Sequence, residues 1–245
     1  MLLQRIAKNR RALCWVIMRS KLMEIPEKLY KYLPSKYVNS VVQKGSFLFR
    51  NLSYFRQYED NRRGDPLEGF HRDNPDNDIT ITNPTTGKVI KGDFSFLNST
   101  NTDLIQVFCL SKLFDKDLFD EFEADACLEI FEVDEFLRRS KIAVKKLISS
   151  HSSGLLFDSV WYYKENAPVG FDIKDPKNLS FAKGIHYQNQ EEFRLVFGSK
   201  KAFNLTQQIV VNNNYDFIAE AKKGVPKEKL IKIGKIDDIV KIHYK

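Results

Sequence analysis

Short strand-like runs, separated irregularly by a few helical segments, restrict the fold of this chain more than any other feature. The clearest run covers residues 191–197. Its aromatic and aliphatic side chains alternate with Glu192 and Arg194 at the period of two that a β-strand requires. Further strands are predicted at residues 29–32, 46–49, 104–110, 127–131, 159–163, 208–211, 230–233 and 240–244. Because strands outnumber helices and do not alternate regularly with them, the pattern predicts a single α+β domain with a mixed, mostly antiparallel sheet flanked by helices.

Helices are predicted at residues 35–44, 114–122, 134–150 and 179–183. Residues 51–55 are predicted to continue from the second strand into a polar loop. The stretch 59–103 is rich in Asp, Asn, Gly, Pro and Thr, so it is predicted to be a long loop that carries a hairpin, with strands at 79–82 and 88–90.

The composition describes a globular chain with an unusual basic end. Of the residues, 42% are hydrophobic and 29% are charged, which suffices for a sizeable core. No run of eighteen apolar residues is present, so no transmembrane helix is predicted, and we expect a cytoplasmic protein. Three cysteines at wide spacing indicate neither a disulfide framework nor a zinc site.

Almost all of the charge imbalance lies near the start of the chain. Residues 1–36 hold nine Lys or Arg and two Glu, which accounts for the whole formal net charge of +7. Residues 115–135 hold ten acidic residues and one Lys, and such a surface repels phosphate backbones. We therefore divide the chain into a basic arm, residues 1–25, and a single domain, residues 26–245.

The arm has three interpretations that the sequence leaves open. In the first, it is a helix whose apolar side chains face a partner or the domain. In the second, it is a basic arm that binds nucleic acid or an anionic membrane surface. The third interpretation is a translation-start artefact, with the natural chain beginning at Met18 or Met23.

Several common catalytic motifs are absent from the sequence. It has no Walker phosphate loop, no dinucleotide-binding glycine pattern, no His-Glu-x-x-His and no Gly-x-Ser-x-Gly. These absences disfavour the commonest nucleotide hydrolases, dehydrogenases, zinc proteases and esterases, and no metal ligand is assigned.

Three local groups remain as candidate sites. Asp65 and Glu68 lie three apart in a turn, where they either hold a ligand hydroxyl or cap the next element, with Asp65 as a helix N-cap. Ser111 ends the central strand without a base nearby in the sequence. Lys183 precedes the strand that carries Glu192 and Arg194. These three residues either form a buried cluster that binds an anion or orients a substrate, or belong to a solvated sheet face.

Read together, these segments resemble the bacterial domain-of-unknown-function family 2971. The matching pieces occur in that family's order, at residues 29–32, 45–49, 65–69, 107–111, 127–130, 133–136, 181–183 and 191–195. The chain departs from the family pattern at Gly64, where the family has Asn, and at Gln190, where it has the first Glu of a Glu-x-Glu sequence.

The order of a Leu-Tyr-Lys strand, a helix, a glycine, an aromatic strand and a late Glu is also similar to that of mono-ADP-ribosyltransferases, including DNA-modifying toxins. This resemblance implies a split sheet that grips NAD, as the substrate, in a cleft. It implies that Glu192 is the catalytic carboxylate, that Lys31 lies on the nicotinamide side and that Tyr54 lies near the ring. Lys183 and Arg194 are assigned to the same NAD-binding site.

Two functions therefore stand as hypotheses. The first is an NAD-using ADP-ribosyltransferase or NAD glycohydrolase in a toxin or phage-defence setting, acting on NAD without a metal and with a protein or nucleic-acid target. The second is a non-catalytic binding or sensing module that recognises protein or nucleic acid through the basic arm.

Overall fold

A computed structural model describes residues 24–57, 64–73, 75, 78–147, 154–164, 167–211 and 224–245. The basic arm up to residue 23 and the last three residues of the predicted helix 134–150 lie outside this part of the chain. Within it the strands are β1 (Leu29–Leu33), β2 (Ser46–Asn51), β3 (Phe70–Asp73), β4 (Ile79–Thr82), β5 (Val89–Gly92), β6 (Phe94–Ser99), β7 (Ile105–Ser111), β8 (Ala126–Ile130), β9 (Leu156–Ser159), β10 (Trp161–Tyr163), β11 (Ala182–Gly184), β12 (Glu192–Gly198), β13 (Thr206–Val211), β14 (Glu228–Lys232) and β15 (Val240–Tyr244).

Helices are fewer than strands in the described residues. The α-helices are α1 (Val38–Lys44), α2 (Leu52–Gln57), α3 (Asp117–Glu121) and α4 (Val133–Leu147). Short 3₁₀ helices occur at Ser35–Tyr37, Thr102–Leu104, Asn178–Phe181, Ile185–Gln190 and Lys200–Phe203. None of the described helices is long and apolar enough to cross a membrane.

The main sheet has eight strands and is antiparallel throughout. Along one path its order is β14-β2-β7-β1-β8-β15, and β12 joins the other edge of β7 and carries β9 beyond it. Three smaller sheets, β13-β6-β3, β4-β5 and the parallel pair β10-β11, complete the described strands. The α+β class and the mostly antiparallel character that the sequence predicts are thus confirmed.

The central strand β7 shares one of its edges between two different strands. β2 pairs with its first half, where Arg50 lies opposite Val107, and β1 pairs with its end, where Tyr30 lies opposite Ser111. Residues 108–110 of β7 lie between these pairings and face no partner strand on this edge in the described part of the chain. We call this opening the strand gap.

The largest core cluster covers one face of the main sheet. Helices α1 and α4 pack against this face, and the alternating Phe193, Leu195 and Phe197 of β12 point into the cluster. A second, smaller cluster lies on the opposite face, where Leu52 and Val196 are buried. Alternate side chains of β12 therefore lie on opposite faces of the sheet, as the sequence predicts. Glu192 and Arg194 lie on the same face as Val196.

Several segments differ from the sequence predictions. The predicted strand at 159–163 is divided between β9 and β10, and in place of the predicted helix at 179–183 the chain forms the 3₁₀ turn Asn178–Phe181 and then strand β11. The prediction of a loop at residues 51–55 is wrong, because Asn51 caps helix α2 by accepting a 3.1 Å hydrogen bond from the Tyr54 N–H. The stretch 59–103 contains the predicted hairpin, β4-β5, but also β3 and β6. Strand β6 pairs with β13, more than a hundred residues later, and such a partner leaves no trace in the local composition.

Gly45 ends α1 in the left-handed conformation, with φ of 56°. A β-carbon there would lie 2.1 Å from the Gly234 carbonyl oxygen. We expect Gly45→Ala to lower the free energy of unfolding by at least about 2 kcal/mol, because strain and a backbone clash add. Gly87→Ala is the matched control, since Gly87 has φ of 67° but nothing within 4 Å of the added carbon. Urea denaturation should show a smaller loss of unfolding free energy for Gly87→Ala than for Gly45→Ala. Equal losses would mean that the backbone clash at Gly45 does not destabilise the protein.

Candidate functional site

Four charged side chains form a cluster inside the protein, which we call the buried ion cluster. They are Glu68, Lys183, Glu192 and Arg194, and none is more than 4% exposed. Strand β12 supplies two of them, β11 supplies Lys183, and the turn before β3 supplies Glu68. The interpretation of a solvated face for these residues is therefore wrong. With two carboxylates and two cations the cluster is formally neutral, which makes its burial tolerable.

Arg194 is the centre of the cluster. Its Nη1 and Nη2 donate to the two carboxylate oxygens of Glu68 at 2.8 and 2.6 Å, a bidentate pair. Its Nε donates to Glu192 Oε2 at 2.8 Å, and Nη1 also donates to the Ser180 carbonyl at 3.0 Å. Arg194 thereby fixes the turn that carries Glu68 against the main sheet.

The second carboxylate of the cluster is held from two sides. Lys183 Nζ donates to Glu192 Oε1 and, at 2.8 Å, to Gln190 Oε1, and lies 4.4 Å from the centre of the Tyr187 ring. Burial opposes the charge of Glu192, but Arg194 and Lys183 outweigh it and lower its pKa to about 2. Glu192 is therefore ionised at neutral pH. Gln190 extends the cluster as a neutral member.

The turn at residues 64–69 is attached to the cluster at several points. The Tyr187 hydroxyl donates to the Gly64 carbonyl at 2.7 Å, and Asp65 Oδ1 accepts from the Leu67 N–H at 2.8 Å. The prediction of Asp65 as a helix N-cap is wrong, because the turn leads into β3 rather than into a helix. Asp65 instead closes an Asx turn that places Glu68.

Ser111 has a structural role. Its hydroxyl donates to the Gln190 carbonyl at 2.8 Å and accepts from the Leu113 N–H at 3.0 Å. It lies opposite Glu192 in the β7-β12 pairing, so it stabilises the strand end beside the cluster. Nearby, burial and the charge of Glu192 raise the pKa of the Cys109 thiol to about 12, which keeps that thiol protonated.

Lys31 reaches into the strand gap. Its Nζ donates to the Cys109 carbonyl at 2.8 Å and lies 4.5 Å from the centre of the Phe108 ring. The ammonium thus bonds a β7 carbonyl that none of the described strands pairs on this edge. Lys31 and Cys109 are both half-buried, so water reaches the gap. Burial lowers the pKa of Lys31, and Arg50 adds to this lowering while Glu192 opposes it.

Tyr54 lies on α2, beside Arg50 of β2. Arg50 Nη1 donates to the Tyr54 hydroxyl at 2.7 Å, and the guanidinium stacks over the Tyr54 ring at 4.2 Å. Arg50 Nε donates to Glu228 Oε1 of the edge strand at 2.9 Å. Sequence reasoning missed Arg50. The alternation of β2, in which Phe47 and Phe49 enter the core, was the available signal that Arg50 lies on the other face.

The predicted NAD-site residues reach a short stretch of one strand. Arg50, which bonds Tyr54, is paired with Val107, Lys31 binds the carbonyl of Cys109, and Glu192 is paired with Ser111. Positions 107 and 111 are four residues apart, or roughly 13 Å along a strand. In the described part of the chain no group of three or more His, Cys, Asp and Glu side chains is placed to hold a metal ion.

Comparison with known proteins gives no match to any family model, curated protein or solved structure. The resemblances to family 2971 and to mono-ADP-ribosyltransferases therefore remain predictions from the sequence, and the geometry of the site carries the functional argument.

Proposed function

We propose that the strand gap and the adjoining end of β12 bind NAD, and that the protein transfers ADP-ribose or hydrolyses NAD with Glu192 as the essential carboxylate. The observation that supports this proposal is the placement of Lys31, the Arg50–Tyr54 pair and Glu192 along residues 107–111 of β7. These groups come from four separate elements, and water reaches the gap between them.

The chemistry of the reaction suits the state of Glu192. The bond between ribose C1 and the nicotinamide nitrogen breaks, nicotinamide leaves with the bonding electrons, and the sugar carbon becomes cationic until water or a target atom bonds to it. A fixed carboxylate stabilises that cation. Glu192 is ionised at neutral pH, and Lys183 and Arg194 fix its orientation from both sides.

The test is nicotinamide release from NAD by the full chain, with and without candidate protein or nucleic-acid targets. Glu192→Gln should reduce the release by at least about 10²-fold, as removal of an electrostatic stabiliser does. Glu191→Gln is the matched control, because Glu191 is the sequence neighbour and is half-exposed beside Lys112. Full activity in Glu192→Gln, or no release under any condition, would contradict the proposal.

A non-catalytic binding module is the second candidate, and one observation favours it. Both oxygens of Glu192 already accept from Lys183 and Arg194, and the residue is only 4% exposed. In such a module the buried ion cluster is purely structural and recognition falls to other surfaces, the basic arm among them. Glu192→Gln would then lower the melting temperature of a protein that releases no nicotinamide.

A further inference from the structure

The strand gap holds a cation, Lys31, that forms no ion pair with any acid in the described part of the chain. Among the described residues its one hydrogen bond is to the Cys109 carbonyl. An ammonium has three donors, so two remain for another partner. Lys183 differs in this respect, because it bonds both Glu192 and Gln190.

Arg50 is the second cation, on the strand that borders the gap opposite Val107, and its Nε bonds Glu228 of β14 on the other side of β2. The Tyr54 ring supports the guanidinium face, while the Tyr54 hydroxyl and Glu228 take one N–H each. Guanidinium has five N–H donors, so three remain without a partner in the described part of the chain. A planar, oriented guanidinium with free donors is the group that proteins use to bind phosphate at two points.

We propose that Arg50 and Lys31 bind the diphosphate of a nucleotide across the strand gap. Strand pairing places Arg50 opposite position 107, and Lys31 bonds the carbonyl of position 109; these backbone positions are about 6.6 Å apart along β7, a distance that a linked pair of phosphates entering the gap can span. This inference rests on the proposed function, in which NAD is the substrate, and assigns to Lys31 the diphosphate instead of the nicotinamide side.

The order of charges along β7 also gives the ligand a direction. Arg50 lies at position 107, Lys31 acts at position 109 and Glu192 lies opposite position 111. The diphosphate therefore lies between positions 107 and 109, and the sugar that follows it lies toward Glu192. The reverse orientation is disfavoured because the cation without an ion pair, Lys31, lies toward position 109, whereas the cluster that contains Glu192 is formally neutral and offers the phosphates no net positive charge.

The experiment measures binding to the full chain by calorimetry with ADP-ribose, ADP, inorganic pyrophosphate and a 12-nucleotide single strand as separate probes. Arg50→Gln and Lys31→Gln should each weaken ADP and pyrophosphate binding at least tenfold. Arg50→Lys, which keeps the charge but loses the planar group, should give an intermediate loss. Arg138→Gln, at an exposed Arg that pairs with Glu135, should leave binding unchanged. Circular dichroism should show that each variant is folded.

The outcomes separate this site from the proposed function. ADP binding that depends on Arg50 in a chain that releases no nicotinamide supports the diphosphate site and rejects the reaction. Nicotinamide release whose KM is unaffected by Arg50→Gln rejects the site and keeps the reaction. If ADP and pyrophosphate fail to bind while the single strand binds through Arg50, the phosphate source is nucleic acid and the inference is overturned.

Discussion

Arg194→Met is expected to lower the free energy of unfolding by about 3–5 kcal/mol, the cost of leaving a buried charge without its partner. The guanidinium makes two bonds to Glu68, one to Glu192 and one to a backbone carbonyl, all at positions closed to water. Methionine fills a similar volume but donates no hydrogen bond. Two buried carboxylates would then face Lys183 alone, and urea denaturation at neutral pH measures the loss.

Two further variants make this prediction specific. In Arg194→Met combined with Glu68→Leu, the cluster returns to one carboxylate and one cation, so the double variant should be more stable than Arg194→Met alone. Arg138→Met removes an arginine that pairs with Glu135 at the surface and should cost less than about 1 kcal/mol. A loss in Arg194→Met no larger than in Arg138→Met would show that the cluster contributes little to stability.

The buried ion cluster shows how far the sequence could predict this site. The alternation in β12 correctly placed Glu192 and Arg194 on one face, because the period of a strand is local information. It could not show that this face is buried, since the residue that pairs with Arg194 is Glu68, 126 residues earlier. Only the tertiary fold brings that turn to the strand. The sequence pattern is therefore the same whether these charged side chains lie on a solvated surface or in a buried cluster.

The residues around the strand gap give no local signal of it. Lys31 lies in a run with the sequence pattern of an ordinary strand, and that strand pairs regularly with β8 over five residues. The gap arises because β1 and β2 take different parts of one edge of β7, which is a property of topology. Arg50 was missed for the same reason. Its position beside the gap and its contact with the Tyr54 ring both depend on the tertiary fold, and the helix that carries Tyr54 was not predicted from the sequence.

Glu192 should also make the stability of the protein fall in acid. Its pKa is about 2 in the folded protein, against an ordinary value of 4.5. A lowered pKa stabilises the folded state above pH 4.5, and this contribution is lost as the pH falls from 4.5 through 2. The stability that Glu192 loses in acid is at most about 3–4 kcal/mol, since its pKa falls by about 2.5 from 4.5 and each pKa unit corresponds to about 1.4 kcal/mol. Burial raises the pKa of Glu68, so its protonation makes the folded state more stable as the pH falls toward 4.5, which is above the range in which Glu192 loses its contribution.

Comparison with Glu135 separates the buried carboxylate from an exposed one. Arg138 and Arg139 also lower the pKa of Glu135 to about 2, but from the surface. The stability difference between wild type and Glu192→Gln should narrow as the pH falls from 5 to 2.5, equally in about 0.05 M and 0.5 M salt, because buried charges are screened little. The corresponding difference for Glu135→Gln should shrink in high salt at every pH. If salt reduces the contribution of Glu192 to the free energy of unfolding as readily as that of Glu135, water enters the cluster. Glu192 would then be open to a substrate without any rearrangement of Lys183 and Arg194.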